Sequence, residues 1–369
     1  MKVPFNYLPF QFSDPKPYFK RWKQLIKSTE FTLGPYVRKF ENDIEKFVGV
    51  KYCISTNNGT DALILALKSL GVKKGDEVIT VCNTFYATVG AIVACGAKPV
   101  FVDADKRYQI DVNKIEKAIT KKTKIILPVH WGGASPDMRK ILKIAKKYKL
   151  EVLEDACMGI GGKIFNKSPG TFGKISAMSM HPLKSLNVMG DGGMVVTNNK
   201  KLSDWIKKFR NHGMKNRDEI DFWGVNARIQ PLQAIVASIE LRKIKKILKI
   251  RNLNSEFLDK ELSKIQEVEI PKRSKYNYET HALYMGLFKN RDKLKNFLIK
   301  KGIEVKIHYP IPLHLQKAAK NLNYRKGKFP EAEKQAKKLL TLPVHQYLSK
   351  RQLTSIVQNI KLFYKKNEK

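Results

Sequence analysis

From Lys51 to Val196 the chain alternates short apolar runs with longer segments whose apolar residues recur every three or four positions. KYCIS, EVITV, KPVFVD, KIIL and EVLED have the length and density of buried strands, and DALILALKSL and ATVGAIVAC have the spacing of helices. That rhythm predicts a mainly parallel sheet with helices on both faces. Open sheets of this kind bind ligands beyond the carboxyl ends of their strands. Asp103, His130 and Asp155 each end or follow a predicted strand, so all three are expected to face one region.

An amphipathic helix is expected from Ile229 to Ile250, with Leu232, Ile235, Val236, Ile239 and Ile247 on one face, linking this unit to the next. Beyond it EVEIPKR, ALYMGLFK, DKLKNFLIKKG, IEVKIHYP and a final helix near Leu353 to Tyr364 mix strands and helices, which predicts a small α+β domain. A chain of 369 residues suits one large and one small domain. The expected boundaries are 1–245 for the large domain with its N-terminal segment and 246–369 for the small one.

Composition narrows the class. A hydrophobic fraction of 43% with 10% aromatic residues excludes a disordered chain. The longest nearly uncharged apolar stretch, Thr80 to Ala97, is broken by Asn83, Thr84, Gly90 and Gly96, so no membrane span is expected. MKVPFNYLPFQF lacks the apolar core of a signal peptide, and the expected location is the cytoplasm. Cys53, Cys82, Cys95 and Cys157 sit unpaired in apolar segments and read as buried thiols. His130, His181 and His212 fall on separate predicted elements without metal-site spacing, so no metal is expected. Against 33 acidic residues stand 71 basic ones, a net charge of +38 that would attract nucleic acid, anionic lipid or phosphorylated small molecules. These are mostly lysines scattered along helices, as in KKLSDWIKKFRNHG, rather than arginines interleaved with aromatics; nucleic acid is not expected as a partner.

Three segments carry candidate chemistry. In TNNGTDALILALKSLG a loop meets a helix at Gly59, Thr60 and Asp61, whose backbone N–H groups either face an anion such as phosphate or form an ordinary cap. In LEVLEDACMGIGG an apolar strand ends on Glu154 and Asp155, which places a carboxylate either against a cationic partner, a protonated pyridine nitrogen being one, or in a strand-end cap. Lys184 lies between the strand ISAMSM and the glycine-rich GDGGMVV, flanked by Met180, Pro182, Leu183, Leu186 and Met189. Burial among such neighbours lowers a lysine toward the free amine that carbonyl chemistry requires. Ser179 would offer a hydroxyl to a phosphate.

Taken together, NNGTDAL, EDACMGIGG, SMHPLKSL with GDGGMVVTN, RNHG and WGVNARIQPLQA resemble the DegT/StrS-type sugar aminotransferases, pyridoxal-phosphate enzymes of fold type I. The resemblance runs from FTLGPYVRKFENDIEKFVG through GDEVITVCNTFYAT and KPVFVDAD to IHYPIPLHLQ and LPVH. It implies an aspartate-aminotransferase-like large domain around a sheet of the seven-stranded type, a homodimer sharing its active sites, and pyridoxal 5'-phosphate as cofactor. It further implies that Lys184 carries the cofactor and moves the proton, that Asp155 pairs with the pyridine nitrogen and that Phe85 stacks on the ring. Gly59, Thr60 and Ser179 would hold the phosphate with Asn226 from the partner subunit, while Arg228, His308 and Tyr309 would lie near a sugar nucleotide. His181 would either neighbour the cofactor linkage or simply pack or cap.

The implied reaction moves an amino group, from L-glutamate, to a ketone of a nucleotide-linked deoxysugar in surface polysaccharide or glycan synthesis. Related dehydratases carry histidine where this chain has Lys184, so transamination is favoured, with amino-cyclitol and aminated octulosonate substrates left open. Met158 replaces the Gln or His common in relatives, and a thioether cannot donate a hydrogen bond. WGGASPDM and Ser185 also depart from the family pattern, which puts substrate contacts rather than the cofactor set in doubt. Two other classes compete: a basic nucleic-acid-binding protein, whose affinity would fall steeply with salt, and a non-catalytic regulator that binds pyridoxal phosphate but completes no half-reaction.

Overall fold

A computed structural model describes residues 1–367. Seven strands build the central sheet: β1 (Tyr52–Thr56), β2 (Glu77–Val81), β3 (Lys98–Val102), β4 (Thr123–Leu127), β5 (Glu151–Asp155) and, after the short β6 (Lys163–Ile164), β7 (Ile175–Ser179) and β8 (Gly193–Thr197). Their order is β1-β8-β7-β5-β4-β2-β3. Only β8 runs antiparallel to its neighbours. β2, β7 and β8 are buried along their whole length, as strands covered on both faces must be.

The covering helices follow from simple patterning. In Met138–Tyr148, Met138, Ile141 and Ala145 are buried while Lys140, Lys143, Lys146 and Lys147 point outward. The Asp137 side chain caps its start by accepting from the Lys140 N–H, and Lys149 ends it in the left-handed region at φ 55°. Many of the chain's basic residues occupy such solvated helix faces.

The C-terminal part holds β9 (Val268–Glu269), β10 (Asn277–Tyr278), β11 (Tyr284–Phe288) and β12 (Leu339–Leu342). β10 pairs with β6, and the other three form an antiparallel sheet in the order β12-β11-β9. Leu258, Leu262, Tyr284, Phe288, Leu294, Ile356 and Ile360 make its core. Val3 belongs to that core and bridges Ile303, so the first residues join the C-terminal unit rather than the large one.

The structure corrects three expectations. The helix expected over Ile229–Ile250 is two helices, Pro231–Leu241 and Ile244–Leu262. Pro231 fixes the start, since a proline suits the first turn and turns its predecessor away from helix. The interruption falls at Arg242–Lys243, beside the buried Glu240 carboxylate, which accepts from Gln11, Tyr18 and Lys243. IEVKIHYP forms no strand; it makes isolated bridges, Ile303 to Val3 and Lys306 to Thr341. Third, Asp103 and His130 do not face the site. Asp103 caps the helix Pro330–Lys338, accepting from the Ala332 N–H at 3.0 Å, and pairs with Lys114 at 2.9 Å. His130 is fully buried between Ser135 Oγ (2.8 Å) and Glu154 Oε2 (2.9 Å).

Candidate active site

Beyond the carboxyl ends of β5 and β7 opens a cleft of about 1310 Å³, counting its open mouth. Gly59, Thr60, Phe85, Asp155, Ser179, His181 and Lys184 line it from the large unit, Arg251, His308, Tyr309 and His345 from the C-terminal side, and Phe5 and Tyr7 from the N-terminal segment. A concave site between two units with a few convergent polar groups is where a small ligand binds.

Lys184 sits on the tight loop that follows β7. Leu183 before it takes φ 73°, a conformation a branched side chain rarely adopts, and the Lys184 carbonyl is held by Tyr7 Oη (2.8 Å) and Asn187 Nδ2 (3.0 Å). The backbone is thus fixed while the amine is left free: among the described residues Nζ makes no hydrogen bond or ion pair. Burial pulls its pKa below that of an ordinary lysine, against a smaller opposing pull from Cys157 and Asp155.

Asp155 ends β5 and is buried. Its Oδ2 accepts from Thr88 Oγ1 at 2.7 Å, and Thr88 in turn lies 2.9 Å from Thr84 Oγ1. Since Thr88 gives its proton to the carboxylate, Thr84 is the donor of the second bond. Oδ1 accepts from the Cys157 N–H at 3.2 Å. Two donors therefore stabilise a carboxylate whose remaining lone pairs face the cleft.

At the other end, the helix Gly59–Ser69 points its first turn at Ser179. A Cβ built on Gly59 would lie 2.7 Å from Ser179 Cβ and 3.0 Å from Oγ, so only glycine allows the approach. The N–H groups of Gly59 and Thr60 remain without backbone acceptors beside the Ser179 hydroxyl, an anion cradle at a helix N-terminus. Asp61 does not take part. Its N–H is used by the Asn58 side chain (2.8 Å) and its carboxylate accepts from Asn58 Nδ2 (3.1 Å), which is the ordinary cap.

Phe85, Tyr86 and Tyr309 cluster at the cleft mouth, with Phe85 and Tyr309 centroids 6.1 Å apart. His308 Nδ1 lies 2.9 Å from Thr341 Oγ1, and chiefly burial lowers its pKa to about 4. His181 is exposed at the rim with Nδ1 2.6 Å from the Pro182 carbonyl. Asn226 and Arg228 lie outside this chain's cleft: Asn226 is exposed, and Arg228 donates to Asn211 Oδ1 at 2.6 Å. Sequence reasoning passed over Thr84, Thr88, Tyr7, Arg251 and Trp131. Thr84 and Thr88 lay in the motif NTFYAT and Trp131 in the departure WGGASPDM, whereas Tyr7 and Arg251 carried no signal; the buried Trp131 Nε1–H borders the cleft and has no acceptor.

A profile of the DegT/DnrJ/EryC1/StrS aminotransferase family matches residues 15–361. The pleiotropic regulatory protein of Geobacillus stearothermophilus is 38% identical, covering 99% of this chain and 99% of its own length. The UDP-2-acetamido-2-deoxy-3-oxo-D-glucuronate aminotransferase of Pseudomonas aeruginosa is 36% identical over 88% of this chain and 90% of its own. The crystal structure of NtdA from Bacillus subtilis with bound cofactor PMP, 30% identical, superposes with a TM-score of 0.90 over 97% of this chain and 84% of that one.

Proposed function

This chain belongs to the DegT/DnrJ/EryC1/StrS aminotransferase family, and from that premise we propose that it transfers an amino group from L-glutamate to a ketone of a nucleotide-linked deoxysugar, using pyridoxal phosphate. The observation that carries the proposal is the Lys184 amine, fixed through its backbone, unpaired and held toward its neutral form in the same cleft as Asp155. The residues fit the cofactor at both ends: a cradle that any Cβ at Gly59 would fill, and a buried carboxylate with lone pairs to spare.

When bound, pyridoxal phosphate supplies an electron sink for the carbon that gains or loses the amine. Lys184 would hold it covalently and, once released as free amine, take and return the proton at that carbon. Asp155, held in place by Thr88, would pair with the ring nitrogen, and Phe85 would cover the ring. Gly59, Thr60 and Ser179 would bind the phosphate, completed in a homodimer by Asn226 of the partner subunit. His308 and Tyr309, with Arg228 of the partner subunit, would face the sugar nucleotide, and His181 would border the reacting centre. The net charge of +38 would speed capture of a diphosphate-bearing substrate. The activity named for the Pseudomonas relative, on a UDP-linked 3-oxo sugar, supports this substrate class.

The large domain would end at residue 245 and the small one begin at 246, early in the helix Ile244–Leu262. Among the described residues no helix is long and apolar enough to cross a membrane, which accords with work in the cytoplasm. The test is incubation with L-glutamate and a panel of nucleotide-linked keto-sugars. Release of 2-oxoglutarate with at least one sugar is expected. A protein that takes up pyridoxal phosphate yet cannot be aminated by glutamate or any other donor would instead be a regulator.

A further inference from the structure

Three arginines are buried to within a few per cent of their surface: Arg210, Arg251 and Arg291. Two have acidic partners. Arg210 meets Glu41 at 2.6 Å, and Arg291 meets Asp292 at 2.8 Å while donating to the carbonyls of Ala336 and Leu339. Arg251, 1% exposed, has none: among the described residues no carboxylate lies within 4.0 Å of its guanidinium. Nε donates to Gln346 Oε1 (3.0 Å), and Nη1 donates to Ser185 Oγ (3.3 Å) and the His281 carbonyl (3.5 Å). Nη2 is buried without any acceptor, and the residue borders the cleft.

An unpaired buried cation costs several kcal/mol unless an anion answers it. The neighbourhood says which anion. Arg251 shares two neighbours with Lys184. Its guanidinium lies 5.1 Å from the Tyr7 ring, whose hydroxyl binds the Lys184 carbonyl, and Ser185 follows Lys184 directly. The phosphate cradle at Gly59 and Ser179 is a separate feature of the cleft. Two unused N–H groups on Nη2, close to the amine-transferring lysine, match one oxygen of a carboxylate a few bonds from the reacting carbon.

We propose that Arg251, through Nη2, anchors a carboxylate of the substrate. This rests on the reading of Lys184 given above. Two sources share the chemistry: the α-carboxylate of an amino-acid donor, and the carboxylate of a uronic-acid acceptor such as the one named for the Pseudomonas relative. Ser185, a departure from the family pattern, then acquires a role in orienting the guanidinium.

The test is calorimetric titration of the purified protein, its visible absorbance recorded on the same sample, with 2-oxoglutarate, UDP-glucuronate and UDP-glucose. Arg251→Gln and Arg251→Met are compared with the wild type; the methionine variant removes the charge without adding a polar orphan, which keeps the test open if the glutamine variant fails to fold. Loss of affinity by about thirtyfold or more, the usual effect of truncating a buried charge pair, is expected for a carboxylate probe and not for UDP-glucose. If the loss falls on 2-oxoglutarate the carboxylate is the donor's; if it falls on UDP-glucuronate it is the sugar's. Wild-type affinity for both carboxylates in a folded variant, or no carboxylate binding by the wild type, overturns the proposal. Absence of visible colour, even after reconstitution, would instead count against the cofactor reading.

Discussion

Replacing Gly59 with alanine isolates the steric basis of the phosphate cradle. The added Cβ would lie 2.7 Å from Ser179 Cβ, whereas carbon atoms in ordinary contact stand about 3.5–4.0 Å apart. The helix start and the end of β7 must therefore separate by about 1 Å. Overpacking of this size costs about 1–3 kcal/mol. Because Gly59 does not have a positive φ, none of that cost is backbone strain. The separation also draws the Ser179 hydroxyl away from the Gly59 and Thr60 N–H groups. Loss of one hydrogen bond to a charged group, about 1.5–3 kcal/mol, would weaken pyridoxal-phosphate binding by about ten- to a hundredfold. Urea unfolding measures the first term and absorbance titration of cofactor-free protein the second. Adding Ser179→Gly removes the opposing Cβ and should restore stability but not affinity, since the hydroxyl is gone. A Gly59→Ala protein with wild-type stability and affinity, or a double variant with no stability regained, refutes the steric argument.

Thr88→Val removes the donor that holds Asp155 Oδ2; the half-reaction with glutamate should slow by about tenfold or more, as a lost bond to a carboxylate implies, and an unchanged rate counts against the role given to Asp155. Chiefly desolvation holds the pKa values of His281, His308 and His345 at about 3, about 4 and about 4. The unfolded chain titrates these rings near 6.5, so they take up to three more protons on unfolding below that pH, and stability is lost as pH falls from about 6.5 toward 4. Unfolding free energies from urea titrations at pH 6.5 and 5 should show a decline approaching about 4 kcal/mol per pH unit from these three rings; equal values contradict it. For Lys184 the folded pKa is again the lower one, so the penalty is present below it and disappears as pH rises toward 10.5. Cofactor-free Lys184→Met should be more stable than the wild type at neutral pH, with the advantage shrinking on alkalinisation; an advantage independent of pH rules out a buried amine.

The strands from Tyr52 to Val196 were legible because each is a dense apolar run bounded by turns, and burial on both faces leaves no other assignment. β12 was not legible: LLTL is four residues that continue straight from a lysine-rich helix. Asp103 and His130 read as site residues because a polar residue at a strand end has the same signature whether it faces ligand or caps a neighbouring helix. Asp103 found Ala332, more than two hundred positions away, which no local pattern reports. Lys184 stood out by its flanks and Asp155 by its strand, whereas Tyr7 and Arg251 reach the cleft from an N-terminal segment and a distant helix. Asp61 shows the limit of motif reading, since anion site and cap share one local sequence and only the Asn58 hydrogen bonds separate them.

The central claim, that Lys184 carries pyridoxal phosphate, is tested most directly by borohydride reduction of the purified, cofactor-loaded protein followed by peptide mass spectrometry. A visible absorbance band lost on reduction, with the phosphopyridoxyl mass on the peptide containing Lys184 and no band in Lys184→Ala, is the expected result. A protein that stays colourless after reconstitution, or that carries the label on another lysine, would contradict it.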